Sequence, residues 1–415
     1  MLQNVSDSNY KISAVSLRVC ARLTTSVLPD GARLLGSNET LVLAMYQATF
    51  GRLSSQDQDL EVKEAAISTM GEIIGALGDV IGSDSLAACL PVLLERLKNE
   101  TTRITSLKAL ATIARSPLKI DVTPVCADAV TECAGFLRKN DRALKQAALT
   151  TLTALIASYA ANIGPELQEG VIKELAGLIS DTELHLTHLA LDLCECMVQH
   201  APQVSTALMH QHVLPRALVL LQSSLLQGAA RESLKKLFAT MVATGVPQCS
   251  FQALLDALLA VVSAGGGAAP LSRQALSSTA QCVSSLCGPV AATDRTATVE
   301  RFIAELGAPA TPEPVKLLLL HSLGEIGKSH DLSAFALEAV ILGAFASGTE
   351  DTKAAASYAL GSLAMGALPK YLPYMLQQVE QQVHPPLPRA RPRPNTPAPP
   401  RGGKDPVTWL LGRAT

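Results

Sequence analysis

A seven-position pattern of apolar or small residues recurs along the chain about every 40 residues. In the clearest copy these residues stand at offsets 0, 3, 4, 8, 11, 12 and 15 from Val62. Such offsets place them along one face of an α-helix. Full, partial or weaker copies of the pattern start at Val62, Thr105, Leu144, Leu186, Leu226, Leu271, Val315 and Thr352. The recurrence predicts a helical repeat protein.

The fifth residue of the helix in each copy, at offset 4, is small in seven of the eight copies, and successive copies are 37 to 45 residues apart. This spacing is the period of HEAT and armadillo repeats. A methyl side chain at the point of closest approach lets neighbouring helices pack about 8–10 Å apart. The small residues are Ala66, Ala109, Ala148, Ala190, Ala230, Ala275 and Ala356, with Leu319 in the remaining copy. We therefore predict an all-α HEAT-repeat solenoid, an armadillo-like superhelix, of about nine helix pairs.

The pattern divides the chain into three parts. Residues 1–53 are predicted to hold an incomplete first unit and an irregular segment, and residues 54–383 a solenoid of about eight helix pairs with neither end capped. Residues 384–415 are rich in proline and arginine, and we expect them to be disordered. Within this tail, Pro385, Pro388 and Arg389 have the spacing of an SH3 ligand, although a tail without a partner is the favoured interpretation.

Composition narrows the range of functions. The formal net charge is −2, which argues against a direct nucleic-acid or membrane role. Aromatic residues make up only 3% of the chain, which suits closely packed helices better than an enzyme core with a deep pocket. The nine cysteines include no C-x-x-C pair and are expected to be reduced and buried. We expect a chain without a leader or a membrane span, located in the cytoplasm and the nucleus, and monomeric.

Motifs of catalysis and of cofactor binding are absent from the sequence. It contains neither a phosphate-binding loop nor a dinucleotide fingerprint. His185, His188 and Asp192 have spacing suited to zinc on one helix, but they flank a buried stripe and are better explained as a solvated edge. We therefore predict that the chain is not an enzyme and has no cofactor and no metal site.

Two basic clusters, one repeat apart, are the candidate partner-binding residues. The first contains Arg96 and Lys98, and the second contains Arg138, Lys139 and Arg142, with Lys145 nearby. One explanation is a ridge that faces an acidic surface of a partner. The other, which we favour, is that these cations stabilise helix C-termini and keep the solenoid soluble.

Several longer stretches resemble one known family. They include Leu60-Glu-Val-Lys-Glu-Ala-Ala-Ile-Ser-Thr-Met-Gly71, Phe136-Leu-Arg-Lys-Asn140, Ala354-Ala-Ala-Ser-Tyr-Ala-Leu-Gly-Ser-Leu363 and Leu368-Pro-Lys-Tyr-Leu-Pro373. These stretches look like the middle of the cullin-associated neddylation-dissociated proteins, and the resemblance spans roughly residues 8–382. It implies a HEAT solenoid that binds an unneddylated cullin with its RING subunit and acts in the assembly of SCF-type ubiquitin ligases and in receptor exchange, without catalysis.

The resemblance is partial. Family proteins are about three times longer, and they continue into further helices where this chain has its proline- and arginine-rich tail. No contact residue of the family therefore maps onto this chain. The alternative function is that of a generic HEAT adaptor, such as a transport receptor or a phosphatase scaffold.

Overall fold

The computed structural model describes residues 1–26, 39–55, 59–263, 271–347 and 349–383. They form helices joined by short turns, with no strand in these ranges. The described residues fall into two units, residues 1–368 and those from 369 onward. In chain order the helices are α1 (Tyr10–Ser26), α2 (Glu39–Ser54), α3 (Leu60–Ile81), α4 (Ser83–Lys98), α5 (Arg103–Ala114), α6 (Thr123–Phe136), α7 (Arg142–Tyr159), α8 (Pro165–Leu178), α9 (Leu184–His200), α10 (Pro202–Leu208), α11 (Leu214–Leu221), α12 (Gly228–Ala243), α13 (Phe251–Ser263), α14 (Arg273–Leu286), α15 (Ala292–Gly307), α16 (Glu313–Ser329), α17 (Leu337–Ser347), α18 (Glu350–Gly366) and α19 (Leu368–Val383).

The helices of the first unit form two layers. Each helix of the A layer packs against the A helices of the preceding and following repeats, and these helices are α1, α3, α5, α7, α9, α12, α14, α16 and α18. The B layer contains the second helices of the pairs: α2, α4, α6, α8, α10 with α11, α13, α15 and α17. A π-helical turn, Met209–Val213, separates α10 from α11. The predicted HEAT-type solenoid is confirmed.

The A helices bury the residues that define the repeat. On α3, Ala66, Met70, Ile73 and Ile74 are fully buried. The residues at offset 4 are at most 3% exposed in all eight copies. The position is therefore buried whether it holds a small residue or, in one copy, a leucine, and the role of the small residues in close helix packing stays a prediction.

Polar residues fix several helix starts. The Asp141 carboxylate accepts a hydrogen bond from the backbone N–H of Leu144 at 3.0 Å, and the Ser272 hydroxyl accepts one from Ala275 at 3.1 Å. Each bond satisfies an N–H group that has no partner inside its helix. Glu61 lies in the first turn of α3, at the end that the helix dipole makes positive.

The segment before Leu53 was predicted to be irregular, and this is wrong for residues 39–54. They form α2, which buries Val42, Met45, Tyr46 and Thr49 together with Leu53. These offsets of 0, 3, 4, 7 and 11 follow the helical period. The apolar pattern of α2 is weak in the sequence because Tyr46 and Thr49 occupy two of its buried positions and Gly51 lies in its last turn.

Glycines allow the closest approaches between A helices. A Cβ atom on Gly71 of α3 would lie 2.8 Å from both Cα and Cβ of Ala109 on α5. A Cβ atom on Gly366 of α18 would collide with the backbone carbonyl of Gly327 on α16. At these points one helix rests on the backbone of the next, so only glycine fits without a shift.

Helix α1 has an apolar face without a covering helix among the described residues. Ile12, Val15, Val19 and Leu23, at offsets 0, 3, 7 and 11, are 38–54% exposed. In the second unit, Leu372, Leu376 and Val379 of α19 form a similar exposed stripe. The predicted disorder of residues 384–415, and the SH3-ligand spacing within them, lie outside the described residues.

Candidate protein-binding surface

Arg96, the first of the predicted partner-binding cations, holds two repeats together. Its guanidinium donates hydrogen bonds to the carbonyl oxygen of Leu53 at 3.1 and 2.7 Å and to that of Ser55 at 3.0 Å. These carbonyls belong to the end of α2 and the residue that follows it. A cation there satisfies carbonyls left open by the helix and matches the negative end of its dipole. Arg96 therefore has a structural role that accounts for its position.

Lys98 and Arg138 make ion pairs with neighbouring carboxylates. The Lys98 ammonium lies 2.9 Å from Glu95 Oε1 on its own helix, and this hydrogen bond and the Glu95 charge raise the pKa of Lys98. Arg138, at the end of α6, approaches Glu174 of α8 through Nε at 2.8 Å and Nη2 at 2.7 Å. Both cations are exposed, and exposed ion pairs contribute little to stability because water screens them.

Lys139 lies in the turn between α6 and α7, Arg142 is the first residue of α7, and both are exposed. Lys145 follows one helical turn after Arg142 and is partly exposed. Among the described residues, none of these three side chains has a hydrogen-bond or ion-pair partner. The turn and the first turn of α7 thus place three unpaired cations within seven residues. The cations that the sequence grouped together therefore differ in structure, because Arg96, Lys98 and Arg138 are engaged within the chain.

The other polar clusters are engaged inside the chain. His188 Nδ1 lies 2.7 Å from the Ser233 hydroxyl of α12 and 3.3 Å from Asp192 Oδ2, so Ser233 holds its ring toward the next repeat. The ring of His185 is 6.4 Å away between centroids. Within the described ranges, no group of three potential ligands is arranged to hold a metal ion.

All nine cysteines are buried and unpaired, as expected. Burial raises the pKa of the Cys89 and Cys282 thiols to about 12 and that of Cys249 to about 11. At neutral pH these groups remain thiols, the form that is a poor nucleophile and a poor metal ligand. Among the described residues, no helix combines the length and the apolar content needed to cross a bilayer.

Hydroxyl groups that join successive A helices had no part in the sequence prediction. The Thr69 hydroxyl donates to the carbonyl of Leu17 at 3.0 Å, and that of Thr151 donates to Leu107 at 2.9 Å. Ser278 is directed at the carbonyl of Leu226 at 3.4 Å. Thr69, Thr151 and Ser278 share offset 7 of the repeat, so the recurrence of small hydroxyl residues there was a readable signal.

Comparison with known proteins identifies relatives of the chain. Residues 1–70 match a family described as "CAND1-like, TPR repeats". Over 387 residues the chain is 41% identical to the cullin-associated NEDD8-dissociated protein 1 of Arabidopsis thaliana. The aligned region covers 92% of this chain and 31% of the relative. The protein of that name from Drosophila melanogaster is 36% identical, over 92% of this chain and 32% of its own length. The chain therefore spans about a third of the length of these relatives.

Solved structures support the fold alone. Kap121p bound to Ste12p matches with a TM-score of 0.58 at 11% identity, over 92% of this chain and 38% of that chain. Kap95 in complex with Nup1 matches with a TM-score of 0.54 at 14% identity, over 91% of this chain and 48% of that chain.

The sequence relatives confirm the predicted resemblance to the cullin-associated family and its partial extent.

Proposed function

Because the chain is related over 92% of its length to the cullin-associated NEDD8-dissociated proteins, we propose that it is a protein-binding scaffold of cullin-RING ubiquitin ligase assembly. Its partner is an unneddylated cullin, and its role is to regulate the assembly of SCF-type complexes and the exchange of their substrate receptors. The observation that carries the proposal is the 41% identity to the Arabidopsis thaliana relative over 387 residues.

The architecture suits binding through an extended surface. The A and B helices of the first unit are built from short apolar side chains, and their exposed edges carry polar residues repeat after repeat. Each repeat contacts mainly its neighbours, so a partner meets many small contact areas along the array. We propose that the chain acts by this binding, with no catalysis and no cofactor of its own.

The proposed partner-facing surface contains Arg96, Lys98, Arg138, Lys139 and Arg142. They lie at corresponding ends of successive repeats, at the end of α4 and around the turn between α6 and α7. Arg138 and Lys98 are exposed enough to reach a partner while they remain paired. Arg96 supports this edge through its bonds to Leu53 and Ser55. The surface thus contains one arginine that is held by backbone carbonyls, and exposed cations beside it.

Three finer properties belong to the proposal. The cullin is bound together with its RING subunit, the chain is monomeric, and it acts in the cytoplasm and the nucleus. The compartments are supported by the nine unpaired, buried cysteines, because reducing compartments keep such thiols free. The RING subunit follows from the family resemblance.

The test is a pull-down of the full chain with a cullin–RING complex, with and without neddylation. We expect binding of the unneddylated complex and weaker binding of the neddylated one. Absence of binding to both forms at micromolar concentration would contradict the proposal. Capture of transport cargo or a phosphatase subunit would then support the alternative, a generic HEAT adaptor.

A further inference from the structure

Cations begin α7 as they begin α5 and α14, but there Arg103 donates to the carbonyl of Lys98 and Arg273 pairs with Asp351. The first turns of α3, α16 and α18 contain Glu61, Glu313 and Glu350, where the helix dipole favours carboxylates. In α7, Arg142 is the first helical residue after the cap Asp141, and Lys145 follows in the same turn. Two cations therefore stand at the end of a helix that disfavours positive charge.

Stability of the chain explains only some of the cations in this region. Arg138 and Lys139 follow the C-terminus of α6, where positive charge is favourable, and Arg138 also pairs with Glu174. Arg142 and Lys145 gain nothing from α7. No carboxylate of the described chain pairs with them, and Asp141 uses a side-chain oxygen to cap Leu144. The positive charges of Arg142 and Lys145 therefore have no carboxylate partner, and they lie at the N-terminal end of α7, where the helix dipole makes positive charge unfavourable.

Cations on two other helices have carboxylate partners close to them in sequence. On α12, Glu232 lies 2.9 Å from Lys235 and 3.7 Å from Arg231. On α8, Lys173 lies 2.7 Å from Glu169. In the turn between α6 and α7, by contrast, Lys139, Arg142 and Lys145 lack such partners.

We propose that Lys139, Arg142 and Lys145 form a docking point for an acidic segment of the chain's protein partner. The inference rests on the proposed scaffold function and specifies where and how the partner is recognised. Arg142 and Lys145 are three residues apart on α7, so their side chains lie side by side and reach carboxylates one helical turn apart. Lys139 extends the site across the turn.

A protein segment fits this site better than a nucleic acid does. Asp141 stands between Lys139 and Arg142 in the chain, Glu174 pairs with the nearby Arg138, and the whole chain has a formal net charge of −2. A long polyanion would meet these negative charges as soon as it left the site, and nucleic-acid binding depends on neutralising many phosphates. A short acidic stretch with two or three carboxylates meets only the cations.

The test compares two triple variants of the full chain. In one, Lys139→Gln, Arg142→Gln and Lys145→Gln remove the docking cations. In the matched control, Lys63→Gln, Lys236→Gln and Lys316→Gln remove three lysines that also lack partners in the described structure but lie on α3, α12 and α16. Both variants lose three positive charges from the same formal net charge of −2, so only the position of the charges differs.

Association with an immobilised, unneddylated cullin–RING complex is measured at 50 and 300 mM NaCl. We expect the docking variant to associate roughly tenfold more slowly at low salt and to lose most of the salt dependence, since charges at an interface rim act on the association rate. The control should change by less than about twofold. Equal effects of the two variants, or no effect of either, would overturn the inference.

Two further arms separate the remaining outcomes. An acidic peptide of alternating Glu and Ser should compete with the cullin complex, and its Gln counterpart should not; single-stranded DNA that competes as well as the acidic peptide would overturn the assignment to a protein segment. Failure of the unaltered chain to bind the cullin complex would contradict the proposed function, and with it this inference. Thermal unfolding of both variants confirms that each is folded.

Discussion

At the scale of single residues, hydroxyl side chains connect one A helix to the next. Thr151 is 1% exposed, and its hydroxyl donates to Leu107 at 2.9 Å and also lies 2.8 Å from the carbonyl of Ala147 in its own helix. The carbonyl oxygen of Leu107 has two lone pairs, and a backbone bond within a helix uses only one of them. The Thr151 hydroxyl donates to the second lone pair. The bond therefore fixes the position of α7 along the neighbouring helix α5.

Replacing Thr151 with Val tests this connection. We expect Thr151→Val to lower the free energy of unfolding by about 0.5–1.5 kcal/mol, because a buried hydrogen bond is lost while the shape of the side chain is kept. Thr131→Val is the control, since Thr131 is exposed and its hydroxyl bonds only to Ala127 of its own helix. Urea titration measures both, and equal losses would contradict a role for the bond between repeats.

His321 of α16 makes stability depend on pH. Burial lowers the pKa of His321, the nearby Lys328 charge adds to this effect, and Glu325 opposes it. Its ring lies 4.9 Å from that of Tyr358 on α18, and its Nδ1 atom is buried without a hydrogen-bond partner in the described structure. Protonation of this ring is therefore harder in the folded chain than in the unfolded one.

Because the folded pKa is the lower one, the unfolded chain binds the proton first as the pH falls below about 6.5. The free energy of unfolding should therefore decline from pH 7 to pH 5. His321→Phe keeps a ring against Tyr358 and should make the decline shallower, whereas His185→Phe, at an exposed position, should leave it unchanged. Some decline should persist, because burial also lowers the pKa of His330. Urea titrations at several pH values measure the slope, and identical slopes for both variants would rule out His321 as its source.

At the scale of helices, the small residue at offset 4 sets the distance between neighbouring A helices. Ala148 of α7 is fully buried, whereas Ala143 of the same helix is exposed. We expect Ala148→Leu to destabilise the chain by about 1–3 kcal/mol, because the added carbons must displace packed neighbours. Ala143→Leu should change stability by less than about 0.5 kcal/mol. Thermal unfolding compares the two, and equal midpoints would mean that the interface has room to spare.

The sequence predicted the helices well because their burial is periodic. A stripe such as that of α3 repeats every 40 residues or so, and the offsets survive substitution of one apolar residue by another. Helix α2 was missed because Thr49 and Tyr46 occupy its stripe, although both are buried and the Tyr46 hydroxyl donates to Ser85 of α4 at 2.7 Å. Polar atoms conceal a periodic pattern when their partners lie in another helix.

The binding surface was harder to predict, because pairing depends on residues that are distant in sequence. Arg138 meets Glu174 from 36 residues away, and Arg96 meets Leu53 from 43 residues away. Sequence spacing alone grouped these arginines with Lys139 and Arg142, which have no such partners. A cluster of cations can therefore be found from sequence, but the number that remain available to a partner follows only from the fold.

At the scale of the whole molecule, the first unit is held together by contacts between successive repeats, so its stability grows with each interface. The stripe of Ile12, Val15, Val19 and Leu23 on α1 is exposed apolar surface that could serve as a further interface of this kind if a helix pair were added. Fusing to the N-terminus a designed HEAT helix pair whose apolar face matches this stripe should raise the unfolding temperature by about 2 °C or more. The same pair with polar residues on its facing side is the control, and no difference between the two fusions would contradict the use of this stripe as an interface.

The contact between Gly327 and Gly366 bears on how the chain can change over generations. The two positions are 39 residues apart (366 − 327); a Cβ atom on Gly366 would collide with the carbonyl of Gly327, whereas a Cβ atom on Gly327 would lie 2.5 Å from Cδ2 of Leu363. A library of folded variants should therefore retain glycine most strictly at position 366, whereas a side chain at position 327 requires only that Leu363 move. Gly361, on the same helix α18, has open space around it and should accept alanine freely. Two glycines on one helix thus have opposite tolerance, decided by what lies across the interface.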